Sequence, residues 1–373
     1  MADHPKILFA GGGTGGHLYP GLAVAAELRA MAGQADIAFF VTQRAIDRHV
    51  LEGHPYRTQF EDARGFSARP WDWPAFGLRL LVNLRRARAY LRQFQPQAVV
   101  GLGGFGSYAA VRQAQKMGLP TFLLNPDLIV GRANRKLAVG AKGIFCQFDE
   151  TTHNLRTGGR VEVVGCPIRM DLFGVDRAAA CEKLGLDPAK KTLTVTGASG
   201  GARNINQAFV HLAGHWQQFP EWQVLHLTGR DLYGEVRREI ALKANYHVRD
   251  YANEMGLVYA ATDLIVARAG AGMVAEITAL GLPSVLVPYP YHRDRHQQRH
   301  AELLEKAGAA VKVLDQIKPV SNAEALWAAL SPLMDDEPRR RRMAEAAKAF
   351  GHPKAARSVA MSILGTVGWR GGA

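Results

Sequence analysis

The sequence predicts an α/β protein made of two doubly wound domains, each on a parallel sheet, around a central cleft. Three observations predict it. Short apolar runs alternate with longer segments of helical period along the whole chain, as in parallel βαβ construction. The runs are apolar throughout, as strands covered by helices on both faces are. They fall into two groups of comparable size, separated by Val163-Val164-Gly165-Cys166-Pro167-Ile168, whose glycine and proline mark an interdomain connection.

In the first group, strands are expected at residues 6–10, 37–41, 98–101, 121–124 and 143–146. In the second they are expected at 192–196, 224–227, 264–267, 284–287 and 310–313. The expected domains are residues 1–167 and 168–351, with a C-terminal helix over about 352–373 packing back on the first. The alanine-rich tail, 339–364, is helical in pattern and interrupted by Pro353. Asp335, Asp336, Glu337 and Pro338 precede the basic run 339–342, which puts acids at the positive end of a helix dipole. The basic run therefore reads as a solvated first turn in preference to a nucleic-acid patch. No short internal repeat and no low-complexity segment is present.

Of the 373 residues, 47% are hydrophobic and 21% charged, enough for a sizeable core. Lys and Arg number 46 against 33 Asp and Glu, and the net charge of +13 favours an anionic partner: nucleic acid, an acidic membrane surface or a phosphorylated small molecule. Three cysteines, Cys146, Cys166 and Cys181, include no C-x-x-C pair, which argues against a disulfide framework or a cysteine-based zinc site and for a reducing compartment. The N-terminus lacks the cationic and long apolar regions of a signal peptide, and no run reaches the roughly 18 apolar residues of a membrane span. Membrane contact is expected to be peripheral.

Glycine-rich loops follow four of the strands. After the first comes Gly11-Gly12-Gly13-Thr14-Gly15-Gly16-His17, then Pro20 and the helical run 22–28. Glycine at a strand-to-helix turn lets backbone approach a diphosphate and aim amide N–H groups at it. Gly11, Gly13 and Gly16 also satisfy G-x-G-x-x-G, but a dinucleotide site expects an acid after the second strand, where Thr42, Gln43 and Arg44 stand. This argues against NAD and leaves NADP, through Arg44, a weak alternative. The other loops are Gly101-Leu102-Gly103-Gly104-Phe105-Gly106-Ser107, Thr196-Gly197-Ala198-Ser199-Gly200-Gly201-Ala202-Arg203, and Arg268-Ala269-Gly270-Ala271-Gly272-Met273, the last leading into the helix that carries Glu276. One such loop can reflect tight helix packing alone. Four at strand exits, two per domain, favour a ligand-binding cleft. A lone histidine is more often structural than catalytic, but His17 ends a glycine loop at a helix start, where the dipole favours the neutral imidazole that proton abstraction needs. It is the candidate general base or acceptor-positioning group.

Together these residues resemble the MurG family of glycosyltransferases, glycosyltransferase family 28, over nearly the whole chain. The resemblance rests on residues 12–17 with Pro20, on Gly103-Gly104-Phe105, and on segments 164–169, 199–206, 263–276 and 294–297. It implies the GT-B fold, two Rossmann-like domains around a deep cleft. It also implies an inverting, metal- and cofactor-independent transfer of N-acetylglucosamine from UDP-GlcNAc to the C4 hydroxyl of a polyprenyl-pyrophosphoryl-N-acetylmuramyl-pentapeptide. That reaction belongs to peptidoglycan synthesis, and so to cell-wall biogenesis, shape and division, at the cytoplasmic face of the bacterial inner membrane, with other cell-wall synthesis proteins as further partners. By the same resemblance the first domain faces acceptor and membrane, and the second binds the UDP-sugar.

The resemblance carries over residue by residue. Glu276 matches the acid that accepts from the ribose hydroxyls and stands with His17 as a catalytic candidate. Gly270, Ala271, Gly272 and Met273 match the helix N-terminus facing the diphosphate. Ser199 matches a hydroxyl on a phosphate oxygen, Ala252 a backbone that reads the uracil edge, and Gln297 a group that reaches the transferred sugar. Thr14, Gly15, Gly16, Gly104 and Asp127 are the remaining substrate-binding candidates, and Arg169, at the domain junction, is a candidate fixed cation for phosphate. Direct displacement at the anomeric carbon follows, with helix termini and Arg169 meeting the charge on departing UDP. The chain departs from the family where His-Glu-Gln-Asn, ahead of the glycine matched by Gly131, is replaced by Leu124-Asn125-Pro126-Asp127 on the acceptor side. Ala198 and Gly200 also replace Gly and Gln, Ala269 and Ala275 replace serines, and His300 replaces an asparagine.

No acid lies between Trp73 and Pro126, while Arg79, Arg85, Arg86, Arg88, Arg92, Arg112 and Lys116 do. Leu80, Leu84, Ala87, Leu91 and Phe94 fall at helical spacing and read as core. Phe76, Leu78, Arg79, Val82, Arg85 and Arg86 remain as an apolar patch ringed with arginine, suited to an anionic membrane surface. The alternative is a solvated arginine-rich face beside buried aromatics. Zinc-finger spacing and RRM-type aromatic interleaving are absent, which argues against a nucleic-acid partner. The altered segment 124–127 keeps two other enzymes open, a transferase with another lipid acceptor and a UDP-GlcNAc 2-epimerase of the same fold. A UDP-binding module without turnover is the alternative from a different class.

Overall fold

The computed structural model describes residues 4–13, 15–65, 69–153, 155–197, 200–240, 245–291 and 294–369. The chain divides into two compact units, Met1–Arg169 with His352–Ala373, and Met170–Gly351. Arg169, placed by sequence in the second domain, thus belongs to the first unit.

Unit 1 runs β1 (Lys6–Gly11), α1 (Gly15–Ala32), β2 (Asp36–Thr42), α2 (Ala45–Leu51), β3 (Arg57–Glu61), α3 (Trp73–Phe94) and β4 (Ala98–Gly101). It continues through α4 (Phe105–Lys116), β5 (Thr121–Asn125), α5 (Arg132–Leu137), β6 (Gly143–Cys146), α6 (Asp149–Thr152) and β7 (Arg160–Val163). The strands form a parallel seven-stranded sheet in the order β3-β2-β1-β4-β5-β6-β7. Successive side chains of a strand point to opposite faces, and two cores result. Ile7, Phe9, Ile37, Phe39 and Val41 pack beneath α1 on one face. On the other, Leu8, Ala10, Ala38 and Phe40 meet Ala87 and Leu91 of α3 and Ala110 of α4. This two-sided burial is why the strands read as unbroken apolar runs.

Unit 2 runs α7 (Arg177–Leu184), β8 (Lys191–Thr196), α8 (Arg203–His211), β9 (Trp222–Leu227), α9 (Tyr233–Glu239), β10 (Tyr246–Arg249), α10 (Met255–Ala261) and β11 (Leu264–Ala267). Then come α11 (Ala271–Leu280), β12 (Ser284–Leu286), α12 (His296–Lys306), β13 (Ala310–Lys312), α13 (Pro319–Asp335) and α14 (Glu337–Ala349). Its parallel six-stranded sheet has the order β10-β9-β8-β11-β12-β13. The expected helix start is seen at α14, where the Asp336 side chain accepts from the Arg339 N–H at 2.8 Å.

After a break at residues 350–354 the chain returns to unit 1 as α15 (Ala355–Thr366). Small residues, Ala355, Ala356 and Ala360, let it approach α1 closely, and Val359, Ile363 and Leu364 enter the same core as Phe9 and Phe39. Cys146, Cys166 and Cys181 are buried free thiols. Among the described residues no helix is long and apolar enough to cross a membrane.

Beyond β11, Arg268 holds three segments together. Its guanidinium donates to Val287 O at 3.1 Å, to Pro288 O at 3.2 Å and to the Asp315 carboxylate at 2.8 Å. Asp315, whose side chain is wholly buried, also accepts from Asn204 Nδ2 and from the Ile317 N–H. Removing one partner of a buried pair leaves the other charge uncompensated. Asp315→Ala should therefore lower stability by about 3–5 kcal/mol in urea unfolding; a midpoint equal to wild type would show that the pair contributes nothing.

Candidate active site

In an open parallel sheet, ligands bind where the strand order reverses, beyond the carboxyl ends of the strands. In unit 1 that point lies between β1 and β4, in unit 2 between β8 and β11, and each is flanked by a pair of the glycine loops.

In unit 1 the first loop is shaped from below by a residue of α2. Asp47 is wholly buried, and its two oxygens take the Gly13 N–H at 2.9 and 2.8 Å and the Thr42 hydroxyl. Arg44 donates to Gly13 O at 3.0 Å, so this cation serves the loop, the position where the weak NADP reading needed it for a phosphate. Gly12, at φ +115, has no room for a side chain, because a Cβ there would collide with Asp47 Oδ2. The second loop closes over the first: a Cβ on Gly104, at φ +70, would lie 2.9 Å from Gly12 O and 3.3 Å from His17 Cε1. His17, half-buried on the first turn of α1, is thus brought against the second loop. Gly15 is buried and Gly16 exposed beside it, while Thr14 and Ser199 lie outside the described residues.

Segment 124–127, where the chain departs from the family pattern, has its own bonding. Asn134 of α5 donates to Leu124 O at 2.9 Å and to Asn125 Oδ1 at 3.1 Å, and Asn125 donates to Asp127 O at 2.7 Å. Asn134 Nδ2 also lies 3.9 Å from where a Cβ on Gly103 would stand, so the segment is tied to the loop that borders His17. Asp127 enters this network through its main chain. Arg169 lies over the Tyr19 ring of α1, 5.6 Å from its centroid.

In unit 2, Gly270 caps α11, and Ala271, Gly272 and Met273 form its first turn, with amide donors of the kind that bind anions. Glu276 follows one turn later, half-buried, and takes a hydrogen bond from the Tyr259 hydroxyl, which also lies 3.6 Å from Met273 Sδ. Gln297, on the first turn of α12, accepts from the Tyr289 N–H at 2.9 Å and lies 3.9 Å from where a Cβ on Gly270 would stand. His300, buried one turn further on, hydrogen-bonds Ala269 O at 2.9 Å and so holds the same loop. Ala252 is half-buried on the loop between β10 and α10, the helix that carries Tyr259. Tyr259, Asp47 and Asn134 carry no motif and act across long sequence separations, so sequence reasoning passed over them.

The basic stretch forms α3. Trp71 is 73%, Leu78 65% and Leu81 55% exposed, with Arg85 and Arg86 exposed beside them. Arg79 is drawn to Asp62 at 3.7 Å, and Phe76 and Val82 are half-buried. Of the expected core stripe, Ala87, Leu91 and Phe94 are buried, but Leu80 and Leu84 are only partly so. The early turns of α3 roof a cavity of about 700 Å³ lined by Phe76, Leu80, Asn83 and the last residue of β3, Glu61.

Models of the glycosyltransferase family 28 N-terminal and C-terminal domains match residues 7–146 and 192–359. The UDP-N-acetylglucosamine–N-acetylmuramyl-(pentapeptide) pyrophosphoryl-undecaprenol N-acetylglucosamine transferase of Chlorobaculum tepidum is 36% identical over 96% of this chain and 98% of its own. The enzyme of that name from Halothermothrix orenii is 33% identical over 93% and 95%. The crystal structure of Acinetobacter baumannii MurG superposes with a TM-score of 0.74 at 22% identity, covering 97% of this chain and 99% of that one.

Glu61 is wholly buried, and no described group bonds either carboxyl oxygen. Burial, and next the charge on Asp62, push its pKa from 4.5 up to about 8. The folded protein keeps a proton there that the unfolded chain releases. Its contribution to stability is therefore full below about pH 4.5, declines as pH rises towards 8, and levels off above that. Glu61→Gln should flatten this decline and melt above wild type at pH 8; parallel melting profiles from pH 4.5 to 8 would contradict the assignment.

Proposed function

The chain belongs to glycosyltransferase family 28, and from that membership we propose that it transfers N-acetylglucosamine from UDP-N-acetylglucosamine to a lipid-linked N-acetylmuramyl-pentapeptide. The observation that carries this reading is the pair of glycine loops at each switch point, one pair meeting at His17 and the other including the loop that leads into the helix of Glu276. Two Rossmann-like units form the GT-B fold, and the names of the relatives favour transfer over epimerisation.

Unit 1 takes the acceptor and unit 2 the donor. His17 receives the proton of the acceptor's C4 hydroxyl as that oxygen attacks the anomeric carbon and UDP leaves, so the configuration inverts. Amide donors at the start of α11, with the Ser199 hydroxyl, meet the diphosphate, where they offset the charge that develops as the bond breaks. Arg169 adds a fixed cation. Tyr259 occupies one oxygen of Glu276 and so sets the carboxylate's orientation toward the ribose hydroxyls. Ala252 presents its backbone to the uracil, and Gln297 reaches the sugar. The exposed face of α3, with Leu78, Leu81, Arg85 and Arg86, rests on the anionic cytoplasmic leaflet where the lipid-linked acceptor resides.

Labelled sugar should pass from UDP-GlcNAc to a short-chain prenyl-pyrophosphoryl-muramyl-peptide with chelator present; solvent hydrogen entering UDP-GlcNAc without acceptor would mark an epimerase, and UDP binding without turnover a mere binding module. His17→Ala should lower turnover about 10²–10⁴-fold at unchanged UDP affinity. Glu276→Ala should instead weaken UDP about tenfold. Wild-type values for either variant would remove its role. On anionic vesicles, flotation should be lost at high salt and on Leu78→Glu with Leu81→Glu; salt-insensitive binding would count against the patch.

A further inference from the structure

The cavity beneath α3 has no role in the transfer scheme. Its volume of about 700 Å³ suits a small ligand. Phe76 and Leu80 of α3 and Phe105, the first residue of α4, give it an apolar wall. Arg132 and Lys136, one turn apart on α5, are exposed cations on its lining with no carboxylate partner among the described residues. Asp62, paired with Arg64 and Arg79, and Asp72 are also on the lining, and so is Glu61, wholly buried, with two oxygens that no described group bonds. A buried carboxyl left unbonded is costly, and a bound molecule that bonds it removes the cost.

We propose that this cavity binds a short acidic peptide, with Glu61 bonding a main-chain amide, Arg132 and Lys136 pairing with carboxylates, and Phe76, Leu80 and Phe105 covering small apolar side chains. A peptide amide offers both a donor and an acceptor, so it matches this carboxyl in either protonation state. A hydrocarbon chain would bury Glu61 and Asn83 against carbon and leave the α5 cations without counter-charge. Phe105 directly follows Gly104, which closes on His17, so the cavity adjoins the acceptor side of the site. The source of the peptide rests on the reading above: it is the peptide carried by the acceptor.

The full chain should bind a fluorescent N-acetylmuramyl-pentapeptide that lacks lipid and diphosphate. Arg132→Ala with Lys136→Ala, Glu61→Leu, and amidation of the peptide's carboxylates should each weaken binding about tenfold. Glu61→Gln, whose amide bonds in both directions, should retain most of the affinity. A circular-dichroism spectrum and a cooperative unfolding transition like those of wild type show that each variant is folded. Absent binding, or equal peptide affinity in wild type and folded variants, overturns the proposal. So does farnesyl phosphate held at the cavity and not displaced by peptide, which would make it a lipid site. Transfer is scored separately. Equal KM for acceptors with and without the peptide removes the subsite and leaves the transferase, whereas peptide binding without transfer removes the transferase and leaves the subsite.

Discussion

The Asp47 carboxylate accepts the Gly13 N–H on both oxygens and the Thr42 hydroxyl as well, and it does so wholly out of water. A buried carboxylate is stable only when hydrogen bonds satisfy it, so the turn leaving β1 has one shape and cannot relax without stranding that charge. Much else follows from this shape. The start of α1 takes its position from the loop, His17 takes its position from α1, and the second loop fits over Gly12 with no space for a Cβ. The half-buried His17 ring is thereby seated against Gly103 and Gly104.

Unit 2 reaches the same end with different chemistry. Its loop after β11 is fixed by a cation below, Arg268, and by His300 from the side. His300, where the family has asparagine, bonds Ala269 O and supports the loop. The side chains that shape the loop spend their hydrogen bonds on backbone carbonyls and on Asp315. Positive charge in this unit is partly structural, and the net charge of +13 overstates what is offered to ligands.

How much of this was legible depended on which physical pressure wrote each residue. Strands buried on both faces, such as β1 and β4, stood out as apolar runs. Strands β3, β7 and β10 did not, because each lies at a sheet edge, is only partly buried and so mixes polar with apolar residues. The glycine loops were readable since backbone at Gly12 and Gly104 excludes every side chain. Asp47, Tyr259 and Asn134 were not, because their importance comes from hydrogen bonds to residues between five and 34 positions away that share no motif with them. The α3 stripe was half right. Its period marks a buried face, but period alone does not reveal that the early turns span a cavity, which leaves Leu80 and Leu84 partly open.

The return of α15 into the core of unit 1 has a consequence for synthesis. Ile7, Phe9 and Phe39 emerge from the ribosome before unit 2, yet Val359, Ile363 and Leu364, which share their core, emerge after it. At about 5–20 residues per second, that interval is roughly 20–70 s. Throughout it the first-made unit carries an unsealed apolar face, while all of unit 2 is made before the sealing helix appears. The nascent chain therefore finishes its later half before its earlier one, and a ribosome that stops before α15 releases a protein damaged at its beginning.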